Sequence, residues 1–380
     1  MGAPAQPAGG TPAIALVDAA DAPEWRSLTK DLGWQVIAAA VPSTTARPPV
    51  ASIDTRAQAL AAAVQEAIAK SGVDPARVYL AGRNEATAAV FYTISRLPDL
   101  WAAGVALGGS PQPAVDSNRL FSANFTNTPV LWAGANPADQ ALADQLKSAG
   151  LNLEYRPAGV TSAAVFEWLA AHAREDYPAA IDCETNSPSL ARCYWIQMTK
   201  FDVNERNDVL PSSLVPPKTV AALDLGGFGY KADDPGPGLL ITFLPDKYNG
   251  PLKTGDRIVS LEGRPIENAR HYAETMAKFT EDRQTAVMVQ RGKERNRIET
   301  RVVAARREAV PTARVRANYI PQEKEIRIVS RTVTDMRVTV PEAWVPGGLN
   351  WNGLTIDELK SPGCYLLTIR KELLHAAPCP

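Results

Sequence analysis

Histidine is scarce in this chain, with only three among 380 residues: His172, His271 and His375. Chemistry that uses an imidazole as acid, base or metal ligand therefore has few places to occur. Net charge is equally small, −1 from 40 basic and 41 acidic side chains. That balance lacks the positive field that nonspecific binding to nucleic acid or an anionic membrane requires. No run approaches the roughly 20 apolar residues of a bilayer span, which argues against an integral membrane segment. Cysteine is limited to four, Cys183 with Cys193 and Cys364 with Cys379, and neither spacing resembles a zinc site. No metal and no cofactor is expected. With 45% hydrophobic and 21% charged residues the composition is that of a folded protein, and the length predicts about two or three domains.

Asn186-Ser187-Pro188-Ser189, a turn signal, separates the first two cysteines, so Cys183 and Cys193 are expected to face each other across a hairpin. Disulfides at both pairs imply an oxidising compartment, hence a periplasmic or secreted protein. The competing reading is four buried, unpaired thiols. Residues 1–11 carry neither a basic n-region nor an apolar h-region and so are not a signal peptide. They read as a Pro/Gly-rich linker of the kind that follows a removed signal or opens an expressed fragment.

Between residues 12 and 176, short apolar runs alternate with amphipathic segments, which predicts a three-layer α/β domain with a parallel sheet. Strands are expected at 13–17, 34–40, 77–81, 104–107, 130–133 and 153–156. Leu60, Val64 and Ile68 mark one helix face after Asp54, and Asn136-Pro137 supplies an N-cap and first-turn proline for another. From 177 to 221 the chain reads as a β-hairpin, 181–185 with 191–198, and a Pro-rich connection. A compact module follows over 222–305, then a C-terminal antiparallel β domain over 306–374 and a tail over 375–380. If the hairpin joins the last sheet, the central module is an insertion. Arginines 301, 306, 307, 314 and 316 alternate with valines, which fits the solvated face of strands better than a nucleic-acid patch.

The most informative stretch is Val78-Tyr79-Leu80-Ala81-Gly82-Arg83-Asn84-Glu85-Ala86-Thr87, a hydrophobic strand turning at once into a helix. It resembles the Gly-x-Ser-x-Gly nucleophile elbow of the α/β-hydrolase superfamily, of the esterase or prolyl-oligopeptidase kind. Gly82 and Ala86 match the small flanking residues, and Asn84 stands at the nucleophile. The resemblance covers roughly 160 residues, including strand order, the run from Trp101 to Pro111 and the closing helix Phe166-Glu167-Trp168-Leu169. It implies that the chain begins at the family's third strand. It also implies an oxyanion turn at Val17-Asp18-Ala19-Ala20-Asp21, a triad acid at Asn136, with Asp139 one helical turn on, and a histidine at Val160. None of these residues suits its role, and an asparagine amide is a poor nucleophile. Losing any one triad member costs orders of magnitude in rate. Ser110 and His172 are the alternative nucleophile and base, and Asp18, Asp21 and Asp139 are the carboxylates near strand ends where open sheets bind ligands.

Residues 222–305 resemble a bacterial-type PDZ domain. The most specific piece is Leu252-Lys253-Thr254-Gly255-Asp256-Arg257-Ile258-Val259-Ser260-Leu261-Glu262-Gly263. The resemblance implies that an extended peptide or protein C-terminus adds as a strand beside Leu239, Leu240 and Ile241. Amides around Phe228, Gly229 and Tyr230 would hold its carboxylate, and His271 and Tyr272 at the start of the groove helix would touch it. The acidic turn 231–237 would narrow or gate the groove. Alternatively, the module is filled by its own chain or is a spacer. The whole sequence thus reads as a noncatalytic binding or scaffolding protein. The alternatives are an active serine hydrolase with a rearranged or partner-supplied site, and a structural subunit of a larger assembly.

Overall fold

The computed structural model describes residues 9–39, 50–134, 136, 139–157, 160–205, 207, 209–215, 221–245, 247–279, 282–303 and 311–380. Its first strands are apolar on both faces. In β1, Thr11–Leu16, and β3, Val73–Arg83, successive side chains enter opposite cores. Ala13, Ala15, Val78 and Leu80 join one cluster, while Ile14, Leu16, Tyr79 and Ala81 join the other. Such strands need helices on both sides, and they have them. One face is covered by α1, Ala22–Thr29, and α6, Ser162–Ala170. The other is covered by α2, Val50–Ser71, α3, Thr87–Arg96, α4, Gln112–Asp116, and α5, Gln140–Ser148.

With β2 at Gln35–Ala38, β4 at Ala103–Leu107, β5 at Val130–Ala133 and β6 at Leu153–Arg156, the sheet is parallel throughout. Its order is β2-β1-β3-β4-β5-β6. The helix expected at Asn136-Pro137 starts later. Asp139 is the N-cap of α5, without a side-chain capping bond, and Pro137 lies outside the described residues.

The hairpin expected at 181–198 is not formed. β7, Ala180–Thr185, pairs with β17, Ala313–Ile320, whereas β8, Arg192–Cys193, pairs with β9, Ile196–Phe201. The two halves belong to different sheets. Cys183 and Cys193 are nevertheless bonded, Cα atoms 6.0 Å apart, and so staple one sheet to the other.

β10 to β16 belong to the central region: Ala222–Leu223, Gly229–Tyr230, Leu239–Phe243, Arg257–Leu261, Arg264–Pro265, Arg283–Arg291 and Glu294–Val303. They form an antiparallel sheet of order β10-β16-β15-β13-β12-β11, with β14 paired to β13 and one helix, α7, Ala269–Met276. Its core is its own, built on Leu239, Ile241, Ile258, Met276, Val287 and Val289.

After this region come β17 and β18, Glu325–Arg331; β19, Val333–Val340; β20, Gly347–Trp351; β21, Leu354–Leu359; β22, Gly363–Arg370; and β23, Leu373–Pro378. They complete two five-stranded sheets, β21-β20-β18-β17-β7 and β23-β22-β19-β9-β8. All pairs are antiparallel except β18 with β20. The C-terminal strands are therefore not a domain by themselves, and the expected tail runs through β23, with Cys379 just past its end bonded to Cys364, Cα atoms 5.3 Å apart.

The chain divides into two compact units, Met1–Val215 with Val310–Pro380, and Pro216–Ala309. The central region is thus inserted between strands of shared sheets. Among the arginines read as a solvated face, Arg314 is buried instead, because both its terminal and ε nitrogens bond Asp182, at 2.7 and 2.8 Å. Arg316 reaches the same carboxylate from an exposed position. Arg301 pairs with Asp224, and residues 306 and 307 lie outside the described residues.

Candidate functional site

At the end of β3 the chain reverses sharply. Asn84 sits in the left-handed region with φ 48°, a conformation asparagine tolerates better than most side chains, and residues 84–86 lead straight into α3. Gly82 is needed just before it. A Cβ there would lie 2.7 Å from Val17 Cγ2 and 2.8 Å from Val90 Cγ2, and 3.0 Å from the carbonyl oxygen of Ala86. The end of β4 wraps the turn as closely. A Cβ on Gly108 would come 2.9 Å from Asn84 Oδ1, and one on Gly109 would collide with the Asn84 carbonyl oxygen. Thr87 Oγ1 donates to the Gly108 carbonyl at 2.8 Å, which holds the loop against the helix.

These strand ends border a cleft of about 280 Å³. Its walls are Trp25 and Leu28 from α1, Arg83 and Asn84 from the turn, Leu107 and Gly108 from β4, and Ala133 and Gly134 from β5. Val160, Ser162, Val165 and Phe166, around the start of α6, close it. Arg83 is ion-paired with Glu24 of α1. At the end of β1, Asp18 accepts from the amide of Ala20 at 2.9 Å. Burial first, then the neighbouring Asp18 carboxylate, pushes the Asp21 carboxyl above its ordinary range, against the pull of Arg83. A turn bearing two carboxylates opposes the negative charge that an oxyanion site must stabilise.

The structure therefore brings together Asn84 and Val160. Asn136 is not among the cleft residues; its carbonyl accepts from Tyr155 Oη and from the Asp139 amide, each at 2.8 Å. Ser110 Oγ accepts from the Gln112 amide at 3.3 Å, as a turn residue does. His172 lies just past the end of α6, with Nδ1 2.8 Å from the Trp168 carbonyl and its ring 4.3 Å from that indole. It is ten residues beyond Ser162, roughly 15 Å along a helix axis. Trp25, Leu28, Leu107 and Ser162 escape the sequence reading. The first two were findable, being three residues apart on one face of the helix that follows β1.

In the inserted unit, β12 does not offer the edge expected at Leu239, Leu240 and Ile241. Leu239 and Leu240 pair with Ile258 and Arg257 of β13, and Ile241 pairs with Tyr230 of β11 on the other side. Both edges of β12 are taken, and the terminal strand is β11, Gly229–Tyr230. Tyr230 is partly exposed and packs edge-on against Tyr272 of α7, ring centroids 5.9 Å apart. Tyr272 itself is buried, which pushes its phenol well above the ordinary range. His271 is half-buried, with Nδ1 accepting from the Glu267 amide at 3.3 Å. Before β11, Gly226 and Gly227 both take left-handed φ, 80° and 78°, and Phe228 packs on the core. The acidic turn is pinned rather than free: both oxygens of Asp234 bond Arg257, at 2.7 and 3.1 Å.

No protein-family model matches the sequence, and no curated protein matches it. Solved structures do. Esterase PE8 is 16% identical over 44% of this chain and 94% of its own, with a TM-score of 0.30. Arabidopsis thaliana SOBER1 is 15% identical over 42% of this chain and 96% of its own, with a TM-score of 0.30. Thermogutta terrifontis esterase 2, phosphorylated by paraoxon, is 16% identical over 44% of this chain and 83% of its own, with a TM-score of 0.31.

Proposed function

We propose that this is a noncatalytic binding or scaffolding protein, built on an α/β-hydrolase-like domain with an inserted PDZ-like unit that takes an extended peptide or protein C-terminus. The observation that carries the noncatalytic half is Asn84. It occupies the left-handed turn between strand and helix where such a fold exposes its nucleophile, and its amide cannot be deprotonated to attack by a neighbouring base. Val160, the residue that the resemblance sets in the base's place, lines the same cleft. The sheet order β2-β1-β3-β4-β5-β6 fits a hydrolase sheet from its third strand onward, and the two disulfides fit a periplasmic or secreted setting.

For the inserted unit, the terminal strand β11 beside α7 supports peptide addition along Gly229 and Tyr230 rather than along β12. The left-handed Gly226 and Gly227 before β11 fit the glycine-containing loop that the resemblance assigns to carboxylate capture. Two measurements on the purified chain test both halves. A fluorophosphonate probe is expected to leave it unlabelled, and stoichiometric labelling would overturn the noncatalytic reading. In a library of random peptides, binders are expected to need a free C-terminal carboxylate. Equal binding of their C-terminally amidated forms would count against the PDZ-like reading.

A further inference from the structure

We propose that the Cys364–Cys379 disulfide is a clasp on β23, and that its reduction lets two copies of this chain exchange that strand, each β23 pairing with the other copy's β22. This concerns the sandwich and does not rest on the reading above. β23 is the terminal strand of its sheet and pairs with β22. Within Leu373–Pro378 every residue but Leu374 is exposed, and Leu374 packs against the sandwich core. Apolar burial therefore adds little to the hydrogen-bonded ladder that holds the strand.

The turn that leads into β23 works against the pairing. Arg370 pairs with Leu373, so Lys371 and Glu372 form a two-residue loop, and both are left-handed, with φ 50° and 63°. Such a loop favours Asn-Gly, because a side chain is penalised in that backbone region. The molecule follows this preference elsewhere: Asn352-Gly353 joins β20 to β21 and Glu262-Gly263 joins β13 to β14, again with left-handed φ at both positions. At Lys371-Glu372 neither position is Asn or Gly. Opening the loop into an extended linker relieves the strain, and strained hinge loops favour exchange of an element between copies.

In the oxidised chain the bond at the far end of the hairpin prevents that opening. Cys183 and Cys193 are buried, whereas Cys364 and Cys379 are both partly exposed, so a dithiol reaches the second pair first. One thiolate of the dithiol attacks a sulfur and its other thiol resolves the mixed disulfide. Two electrons and two protons pass to Cys364 and Cys379, which become thiols, and the dithiol becomes a cyclic disulfide. Release of β23 leaves the backbone groups of β22 from Tyr365 to Arg370 without their partners. The segment that already matches that edge in register is β23 itself, so the occupant is a second copy.

Full-length Cys364→Ser mixed with full-length Cys379→Ser, concentrated and then oxidised with glutathione disulfide, tests this. Strand exchange sets Cys364 of one copy beside Cys379 of the other, so a covalent dimer is expected on a non-reducing gel, several-fold above either variant alone. Peptide mass spectrometry is expected to place the crosslink between those two residues. Adding Lys371→Asn and Glu372→Gly to both chains relieves the loop and is expected to cut the yield several-fold. The unreduced parent is expected to remain monomeric by light scattering at the same concentration. If either variant lacks a cooperative thermal melt, the parent reduced with dithiothreitol and reoxidised while concentrated is expected to give the same interchain crosslink. No interchain bond, an equal yield from one variant alone, a yield indifferent to the loop substitutions, or a parent that dimerises without reduction would overturn the proposal.

Discussion

A single side chain decides whether the elbow turn can do chemistry, and at this scale the sequence was readable where a motif fixes the backbone. Asn84 takes the left-handed turn expected between strand and helix, and Gly82, Asn84 and Val160 lie at or beside one cleft. Restoring a hydroxyl does not restore the rest: Asn84→Ser places a Ser Oγ in the turn, but Val160 supplies no base and the Asp18–Asp21 turn no oxyanion donor. That variant is expected to remain unlabelled by fluorophosphonate and to hydrolyse aryl esters no faster than the parent; rapid labelling would mean that another group acts as base. Asp21 carries a pH signature. Its pKa is raised in the folded state by burial and by Asp18, so the folded protein binds that proton more tightly than the unfolded chain. Its stabilising share is present below the ordinary pKa of 3.8 and disappears as pH rises through the elevated value. Asp21→Asn is therefore expected to raise the melting temperature at pH 7 and to lose that gain in acid. An unchanged melt at pH 7 would remove the burial argument. Arg96 shows what pattern reading misses. It is fully buried, with its nitrogens on Asp54 at 2.9 and 3.1 Å and on Asn186 at 2.7 Å. A charged residue in an amphipathic helix is assigned to solvent unless its distant partners are known.

At the scale of elements, the parallel sheet was legible because its strands are short apolar runs bounded by helices, with β5 and β6 found to the residue. The β7 to β9 region was not. A turn signal between two strands predicts a hairpin, but here the strands separate to join partners more than a hundred residues away, β17 and β19. Local sequence carries no record of those long-range pairings. The expectation of a free edge at β12 failed for the same reason, since only pairing shows that the two-residue β11 is terminal. The Cys183–Cys193 bond gains importance from this correction. It ties β7 in one sheet to β8 in the other, and both sulfur-bearing residues are buried. Closing a loop of ten residues stabilises by about 3 kcal/mol in the chain-entropy picture. The double variant Cys183→Ala with Cys193→Ala is expected to lose stability of that order in urea unfolding. A loss below about 1 kcal/mol would show that the sandwich core holds the two sheets in register without the staple.

For the whole molecule, the decisive feature is that each hydrophobic core closes within one unit. The two clusters on the faces of the parallel sheet and the sandwich cluster draw only on Met1–Val215 and Val310–Pro380, and the fourth cluster only on the inserted segment. Within the larger unit, the described segments that precede and follow the insertion are fixed on the same buried carboxylate, that of Glu184 in β7. Its Oε1 accepts from Ser212 Oγ at 2.6 Å and from Thr312 Oγ1. Its Oε2 accepts from the Ser213 amide and hydroxyl at 2.6 and 2.7 Å, and Arg331 balances the charge at 3.1 Å. Segments on either side of the insertion therefore meet within the reach of two side chains, held by bonds that belong wholly to the larger unit. An insertion anchored in this way can be removed without opening a gap, because closing a short flexible loop that spans the same ends costs no more entropy than closing a long one. Replacing Pro216–Ala309 with a short Gly/Ser linker is expected to leave a cooperative thermal transition within a few degrees of the parent's transition for this unit. Adding Glu184→Ala to that shortened chain is expected to lower it sharply, since removing a buried charged partner costs about 3–5 kcal/mol. If the shortened chain unfolds without a cooperative transition while the intact protein shows one, the larger unit depends on the insertion and the separation of cores does not describe how the molecule is stabilised.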